Sequence, residues 1–99
     1  MPLSSFTTAT DRELMAEIGD RLRRLRESQK LTGIEVAERT GLSRRTVWRA
    51  EQGDNPTLLT LLRLLRLYGR LDQMVVFLRE PEISPMALLS DRKKVRPDG

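Results

Sequence analysis

The chain lacks cysteine and histidine altogether, and it holds only one Trp, one Tyr and two Phe among its 99 residues. The first two absences exclude thiol nucleophiles, imidazole bases and the usual zinc and haem ligands. Carboxylates remain, but Glu35 and Glu38 have the spacing of one helix face beside a basic segment, which is typical of a solvated surface. We therefore predict a protein that is not an enzyme and that uses no metal ion or cofactor.

Long apolar runs are also missing. The most leucine-rich stretch, 58–67, is interrupted by Arg63 and Arg66, and the first residues lack the basic start and apolar run of a signal peptide. We therefore predict neither a membrane span nor a signal peptide, and we expect a cytoplasmic protein. A chain of 99 residues fits one small domain with tails.

Acidic residues are the scarcer charged class, with 14 Asp and Glu against 18 Lys and Arg and a net charge of +4. The distribution of charge is more informative than this total. Segment 57–70 holds three arginines and no acid, and segment 91–99 holds four basic residues against two acids. The pI of about 10.3 and these two basic segments favour a polyanionic partner.

Two segments, TDRE at 10–13 and TGIE at 32–35, have the form of a capping box. In this motif the Thr hydroxyl and the Glu carboxylate each accept a hydrogen bond from the other residue's backbone N–H group. The first box predicts a helix that ends near Ser28, and the second predicts a helix of barely two turns. Gly41 then suits the left-handed conformation that ends a helix, and Ser43 suits the cap of the next one.

Three further helices are predicted from about Arg44 to Gln52, from after Thr57 to about Tyr68, and from about Leu71 to Leu78. On the fourth helix we predict one apolar stripe, formed by Leu58, Leu61, Leu62 and Leu65. The other leucines of that helix exceed what one small core needs, which indicates a partner surface. We therefore expect a flexible arm at 1–9, an all-α domain of five helices at 10–79, and a proline-broken basic extension at 80–99.

The stretch IGDRLRRLRESQKLTGIEVAERTGLSRRTVWRAEQGDNPTLLTLLRLLRLYG resembles the Xre family of Cro-like and phage-repressor-like transcriptional regulators. The shared features are the opening helix, a small residue at the contact of two short helices, a glycine turn, a serine cap and a closing EQG. In this chain they are the helix from Ile18, then Ala37, Gly41, Ser43 and segment 51–53. The resemblance implies a lambda-repressor-like helix-turn-helix domain that binds double-stranded DNA.

The resemblance also assigns roles to individual residues. Positions that contact bases in the family are occupied here by Arg44, Arg45, Thr46 and Arg49. Arginine suits guanine because its planar fork can donate two parallel hydrogen bonds, so we expect guanines in each operator half-site. The alternative for the three arginines is a basic, solvated helix face.

Phosphate contacts are expected from polar side chains and from backbone N–H groups at helix starts. The predicted set is Thr32, Gly33, Ser43, Trp48, Gln52 and Asn55. Many family members have a glutamine where this chain has Gly33, so anchoring there is expected to be weaker. For Trp48 two alternatives stand, which are contact with the DNA backbone or a thymine and packing against the fourth helix. Arg26 and Glu51 are expected to form the family's structural ion pair, the alternative being two solvated charges.

One recognition helix covers few base pairs, so we expect a homodimer on a palindromic operator. The predicted dimer interface is Leu64, Leu67, Leu71, Met74 and Phe77, unless these residues only complete the core. The segment REPEISPMALLSDRKKVRP faintly resembles the C-terminal extension of HipB-type antitoxins, which implies a HipA-like toxin as a partner. We predict a repressor of its own operon, with toxin neutralisation as the alternative main role.

Overall fold

All regular structure in the computed structural model, which describes residues 6–81, is helical. The five helices are α1 (Asp11–Ser28), α2 (Gly33–Thr40), α3 (Arg44–Glu51), α4 (Leu58–Leu67) and α5 (Gln73–Phe77). The predicted all-α class is thus confirmed. Residues 1–5 of the predicted arm at 1–9 and residues 82–99 of the predicted extension at 80–99 lie outside the described residues.

The helices begin at the residues whose side chains can cap them. Thr10 and Thr32 both form complete capping boxes, with Glu13 and Glu35 respectively. Ser43 caps α3 and Thr57 caps α4, each by accepting a hydrogen bond from the backbone N–H group three residues later. Since each cap satisfies N–H groups that a helix start leaves unpaired, the caps determine where the four helices begin.

One core joins the first four helices. Its most buried side chains are Leu22 of α1, Val36 of α2, Val47 of α3 and Leu64 of α4, with Tyr68 just beyond α4. Helix α3 packs against α1, α2 and α4 at once. It is therefore held on three sides, which leaves one face of α3 for solvent or a ligand.

The predicted apolar stripe of α4 is wrong in one member and in the buried residues that it omits. Leu58 is 62% exposed, whereas Thr60 and Leu64 are buried and Leu61 packs against the core. Leucines occur on every side of α4, so they could not mark its inner face. A threonine is tolerated in the interior because the Thr57 hydroxyl donates to the Thr60 hydroxyl oxygen at 3.0 Å.

The predicted dimer interface also needs a correction. Leu64 is 1% exposed and belongs to the core, so its side chain is not available to a second copy. Leu67 packs against that core as well, because it lies one turn from Leu64 on the same helix. The remaining predicted interface residues lie beyond α4, where Leu71 and Met74 are half-buried and Phe77 is exposed.

Candidate nucleic-acid interface

The turn between α2 and α3 is built around Gly41. This residue has a left-handed φ of 76°, and its N–H group donates to the Ala37 carbonyl oxygen at 3.0 Å. Ala37 is buried at the contact of the two helices, and Leu42 turns inward against the core. The Ser43 hydroxyl accepts from the Thr46 N–H group at 3.0 Å and so starts α3. Two short helices joined by this tight turn form a helix-turn-helix.

Helix α3 has an apolar inner face and a basic outer face. Val47 and Ala50 are buried, while Arg44, Arg45 and Arg49 are exposed. Within residues 6–81, neither Arg44 nor Arg45 takes part in an ion pair. The first turn of α3 contains no acidic residue. The predicted base-contacting arginines therefore present two guanidinium groups to solvent at the start of the helix.

Thr46 and Arg49, the other predicted base-contacting residues, are already engaged within the domain. The Thr46 hydroxyl lies 2.8 Å from that of Ser43. The Arg49 Nε donates to the Asp54 carboxylate at 2.7 Å, although both side chains are about half exposed. Sequence reasoning missed the second contact, because Asp54 is in the turn after α3 and only the bend of that turn brings it back to Arg49.

The predicted phosphate-contacting residues fall into separate groups. Thr32, Gly33 and Trp48 line one pocket of about 310 Å³ between the start of α2 and the outer face of α3. Ser43 lies at the start of α3, and Asn55 lines a smaller pocket at the far end of that helix. Gln52 is the exposed C-cap of α3. These positions therefore lie around α3 and do not form one cluster, since Thr32 and Gly33 belong to the start of α2 and Asn55 to the turn after α3.

Trp48 does not pack against α4. Its side chain is 57% exposed, and it lines the pocket at the start of α2 with Arg44 and Ile34. The packing alternative is therefore wrong: position 48 follows the buried Val47, and one step of about 100° carries it out of the core. A large exposed aromatic ring beside a helix N-terminus is available for a contact with a DNA backbone or a base.

An ion pair anchors the end of α3 to α1. Arg26 donates from Nε to Glu51 Oε2 at 2.7 Å and from Nη2 to Oε1 at 2.9 Å. Its Nη1 also donates to the Leu31 carbonyl oxygen at 3.1 Å, just before α2. The hydrogen bonds that Arg26 donates to the Glu51 carboxylate raise the pKa of Arg26 above its ordinary value. The structure thus brings together the two residues expected to pair, in the bidentate form that fixes orientation.

Tyr68 lies in the core near this ion pair. Burial, followed by the negative charge of Glu51, raises the pKa of its phenol to about 12. A phenol is already neutral at physiological pH, and the raised pKa moves its ionisation further from that range, so Tyr68 adds no charge beside Arg26 and Glu51. Its carbonyl oxygen accepts from the Gln29 side chain at 2.9 Å, which joins the end of α4 to the end of α1.

Two glycines bring the backbone of α1 directly against the end of α3. A Cβ atom added at Gly19 would lie 2.5 Å from the Glu51 carbonyl oxygen, and one added at Gly53 would lie 2.5 Å from the Met15 carbonyl oxygen. In the sequence, Gly53 is marked only as part of the closing EQG segment at 51–53, and nothing singles out Gly19. A glycine inside a helix lowers its stability by about 1 kcal/mol relative to Ala. A glycine within a helical pattern can therefore indicate a position where another backbone segment approaches closely.

A sequence profile of helix-turn-helix domains matches residues 17–77, which is more than half of the chain. The chain belongs to this helix-turn-helix family. The matched span runs from α1 to the end of α5 and contains the turn at Gly41 and the basic face of α3. A comparison with curated proteins gave no match.

Helix-turn-helix domains place their second helix in the major groove of DNA. In this domain that helix is α3, so the outer face with Arg44, Arg45 and Arg49 is the candidate DNA-binding surface. No helix among residues 6–81 has the length and apolar character needed to cross a membrane. Those residues also contain no cluster of Asp and Glu side chains that could hold a metal ion.

Proposed function

We propose that this helix-turn-helix protein is a sequence-specific regulator that binds a palindromic operator as a homodimer and represses its own operon. The observation that carries the proposal is the exposed pair Arg44 and Arg45 at the first turn of α3. Residues at the start of a recognition helix are the ones that reach base edges in the major groove. Each guanidinium has two parallel donors for the O6 and N7 atoms of guanine.

Register on the duplex would come from contacts on two sides of α3. Trp48 and the Gly33 N–H group are available on the side where α2 begins, and Asn55 is available on the other side, in the turn after α3. Backbone N–H groups at helix starts bind phosphate oxygens and carry no sequence information. In this proposal they hold the domain while Arg44, Arg45 and Arg49 discriminate between bases.

Selection from a random duplex library at physiological salt tests sequence-specific binding. We expect enrichment of a palindrome with guanines in each half-site and half-sites about 10 base pairs apart. We call this enriched palindrome the selected operator. Binding that fades with added salt and enriches no sequence would contradict the proposal, because it would be nonspecific attraction to phosphate. A promoter fusion carrying the selected operator then tests repression.

The proposed dimer surface is the apolar surface of α5 and the residues around it. Val75, Val76, Phe77 and Leu78 are all about two-thirds exposed or more, and Leu71 and Met74 lie beside them. Contiguous apolar exposure of this kind marks an interaction surface. We propose that a second copy covers it, with Leu71, Met74 and Phe77 from the predicted interface as its members.

Phe77→Asp should weaken this dimer by about 10-fold to 100-fold, since burying a large apolar side chain contributes about 1.5–3 kcal/mol. The fold should stay intact, because Phe77 is 71% exposed in the monomer. Sedimentation equilibrium measures the association, and Leu59→Asp on α4, which is also exposed, serves as the matched control. Equal association of the wild type and Phe77→Asp would rule out this surface.

Neutralisation of a HipA-like toxin is the second candidate function. The observation that favours a protein partner is an open groove of about 620 Å³ between α1 and α4, with apolar walls from Leu22, Leu25 and Leu61. None of the residues that line it belongs to α3. Replacing Arg44 and Arg45 by alanine should therefore leave partner binding intact while operator binding is lost. Loss of both would place the two activities on one surface.

A further inference from the structure

The geometry points to Asp54 as a positioning residue that holds Arg49 for recognition of one guanine in each half-site. This inference rests on the proposed function, since it requires α3 to lie in the major groove. Asp54 itself need not touch the DNA. It acts by fixing the direction of the Arg49 guanidinium before binding.

In the turn after α3, Arg49 and Asp54 are joined by two hydrogen bonds, one between backbone groups and one between side chains. Gly53 has a left-handed φ of 72°, which reverses the chain. The Asp54 N–H group then donates to the Arg49 carbonyl oxygen at 3.0 Å, five residues back. The Arg49 Nε donates to Asp54 Oδ2 at 2.7 Å. This is the hydrogen-bond pattern of a Schellman turn, so the backbone that ends α3 also sets the place of the carboxylate.

The hydrogen bond to Asp54 leaves the Nη1 and Nη2 groups of the Arg49 guanidinium without a partner within residues 6–81. An arginine has five N–H donors in a rigid plane, and Asp54 takes the one on Nε. The Nη1 and Nη2 groups remain as a fork that fits the O6 and N7 atoms of guanine. An unrestrained arginine would lose up to about 2 kcal/mol of side-chain entropy when it binds, and part of that loss is already taken in this domain.

A stabilising role in the fold is a weaker explanation for the pair. The side chains of Arg49 and Asp54 are 48% and 54% exposed, and exposed pairs contribute between about 0 and 1 kcal/mol to stability. The pair also lies beside Thr46 and Asn55, which line the same small pocket. Three of these four residues were predicted DNA contacts, so the carboxylate is placed within the candidate DNA surface.

A carboxylate on a DNA-binding surface lowers the affinity for DNA of any sequence. This effect distinguishes a positioning role of Asp54 from a role of its charge alone. Asp54 repels phosphates of any sequence, so its removal should raise nonspecific affinity. If it also orients Arg49, the same change should lower discrimination at the base that Arg49 contacts. The two effects have opposite signs. A carboxylate that acts only through its charge would produce the first effect without the second.

The experiment compares the wild type with Asp54→Ala, Asp54→Asn, Arg49→Ala and the double variant. Each protein is titrated with the selected operator, with every single-base change in a half-site, and with a scrambled duplex. We expect Asp54→Ala to lose about 3-fold to 10-fold of discrimination at one guanine position, the range that an exposed charged hydrogen bond supports. Asp54→Asn keeps an oxygen acceptor for Nε and should restore most of that loss. In the Arg49→Ala background, Asp54→Ala should cause no further loss of discrimination.

Two results would overturn the inference, and they are distinguishable. If the wild type prefers the operator and Asp54→Ala raises affinity for every duplex with base preference unchanged, Asp54 acts only by its charge and the proposed function stands. If the wild type binds the operator and the scrambled duplex equally, both the proposed function and the role of Asp54 are wrong. Melting temperatures of all variants check that the fold is unchanged.

Discussion

Replacing Arg44 and Arg45 together by alanine is expected to lower affinity for the selected operator by roughly 30-fold to 2 × 10⁴-fold at each half-site, since each bidentate arginine contributes about 1–3 kcal/mol of base discrimination. The two residues lie at the first turn of α3, are exposed, and form no ion pair within residues 6–81. Their removal should therefore leave the stability of the domain nearly unchanged. Fluorescence anisotropy with a labelled operator measures the affinity, and circular dichroism checks the fold.

The matched control removes the same charge from another helix. Arg63 and Arg66 are exposed on α4, outside the helix-turn-helix. Their replacement by alanine should reduce affinity for operator and scrambled duplexes alike, with an effect that shrinks as salt rises. Equal losses of operator affinity in the two double variants would mean that α3 contributes charge and no base contacts.

Gly53→Ala is expected to destabilise the domain by roughly 2–5 kcal/mol. About 1–2 kcal/mol comes from placing a side chain at positive φ, and about 1–3 kcal/mol comes from forcing a methyl group into a filled space. The added Cβ would lie 2.5 Å from the Met15 carbonyl oxygen, and backbone atoms cannot move aside as a side chain can. Because the same contact sets α3 against α1, the variant should also bind the operator less well.

Gly41→Ala separates the two contributions to that loss. Gly41 has nearly the same φ, 76°, but no atom lies within 4 Å of an added Cβ. The free energy of unfolding of Gly41→Ala should therefore fall only by the conformational cost of a side chain at positive φ, about 1–2 kcal/mol. Urea unfolding of both variants gives the comparison. Equal free energies of unfolding for the two variants would show that the close contact between α1 and the end of α3 does not contribute to the stability loss of Gly53→Ala.

Features fixed by neighbouring residues were predictable from the sequence. Thr10, Thr32 and Ser43 begin their helices as expected, and Gly41 ends α2 in the left-handed conformation, because caps and turns depend on a few consecutive residues. The fifth helix was predicted too long, since Leu71 and Asp72 form a turn and α5 covers only Gln73–Phe77.

Features that depend on how helices meet were not predictable in the same way. Leucine spacing alone could not identify Leu64 as the core residue of α4, because leucines cover that helix on all sides. The close approach of Gly19 and Gly53, and the hydrogen bond from Arg49 to Asp54, depend on where one backbone segment lies against another. The pairing of Arg26 with Glu51, 25 residues apart, was reached only through family resemblance.

The most direct test of guanine recognition by α3 changes the DNA and leaves the protein intact. In the selected operator, the guanines of both half-sites are replaced by 7-deazaguanine, which keeps base pairing and removes the N7 acceptor in the major groove. We predict that wild-type affinity falls by about tenfold or more, because arginine donors lose their partners, and that the Arg44→Ala, Arg45→Ala double variant, which keeps only Arg49, responds less. Unchanged wild-type affinity would contradict major-groove recognition of guanine by this helix.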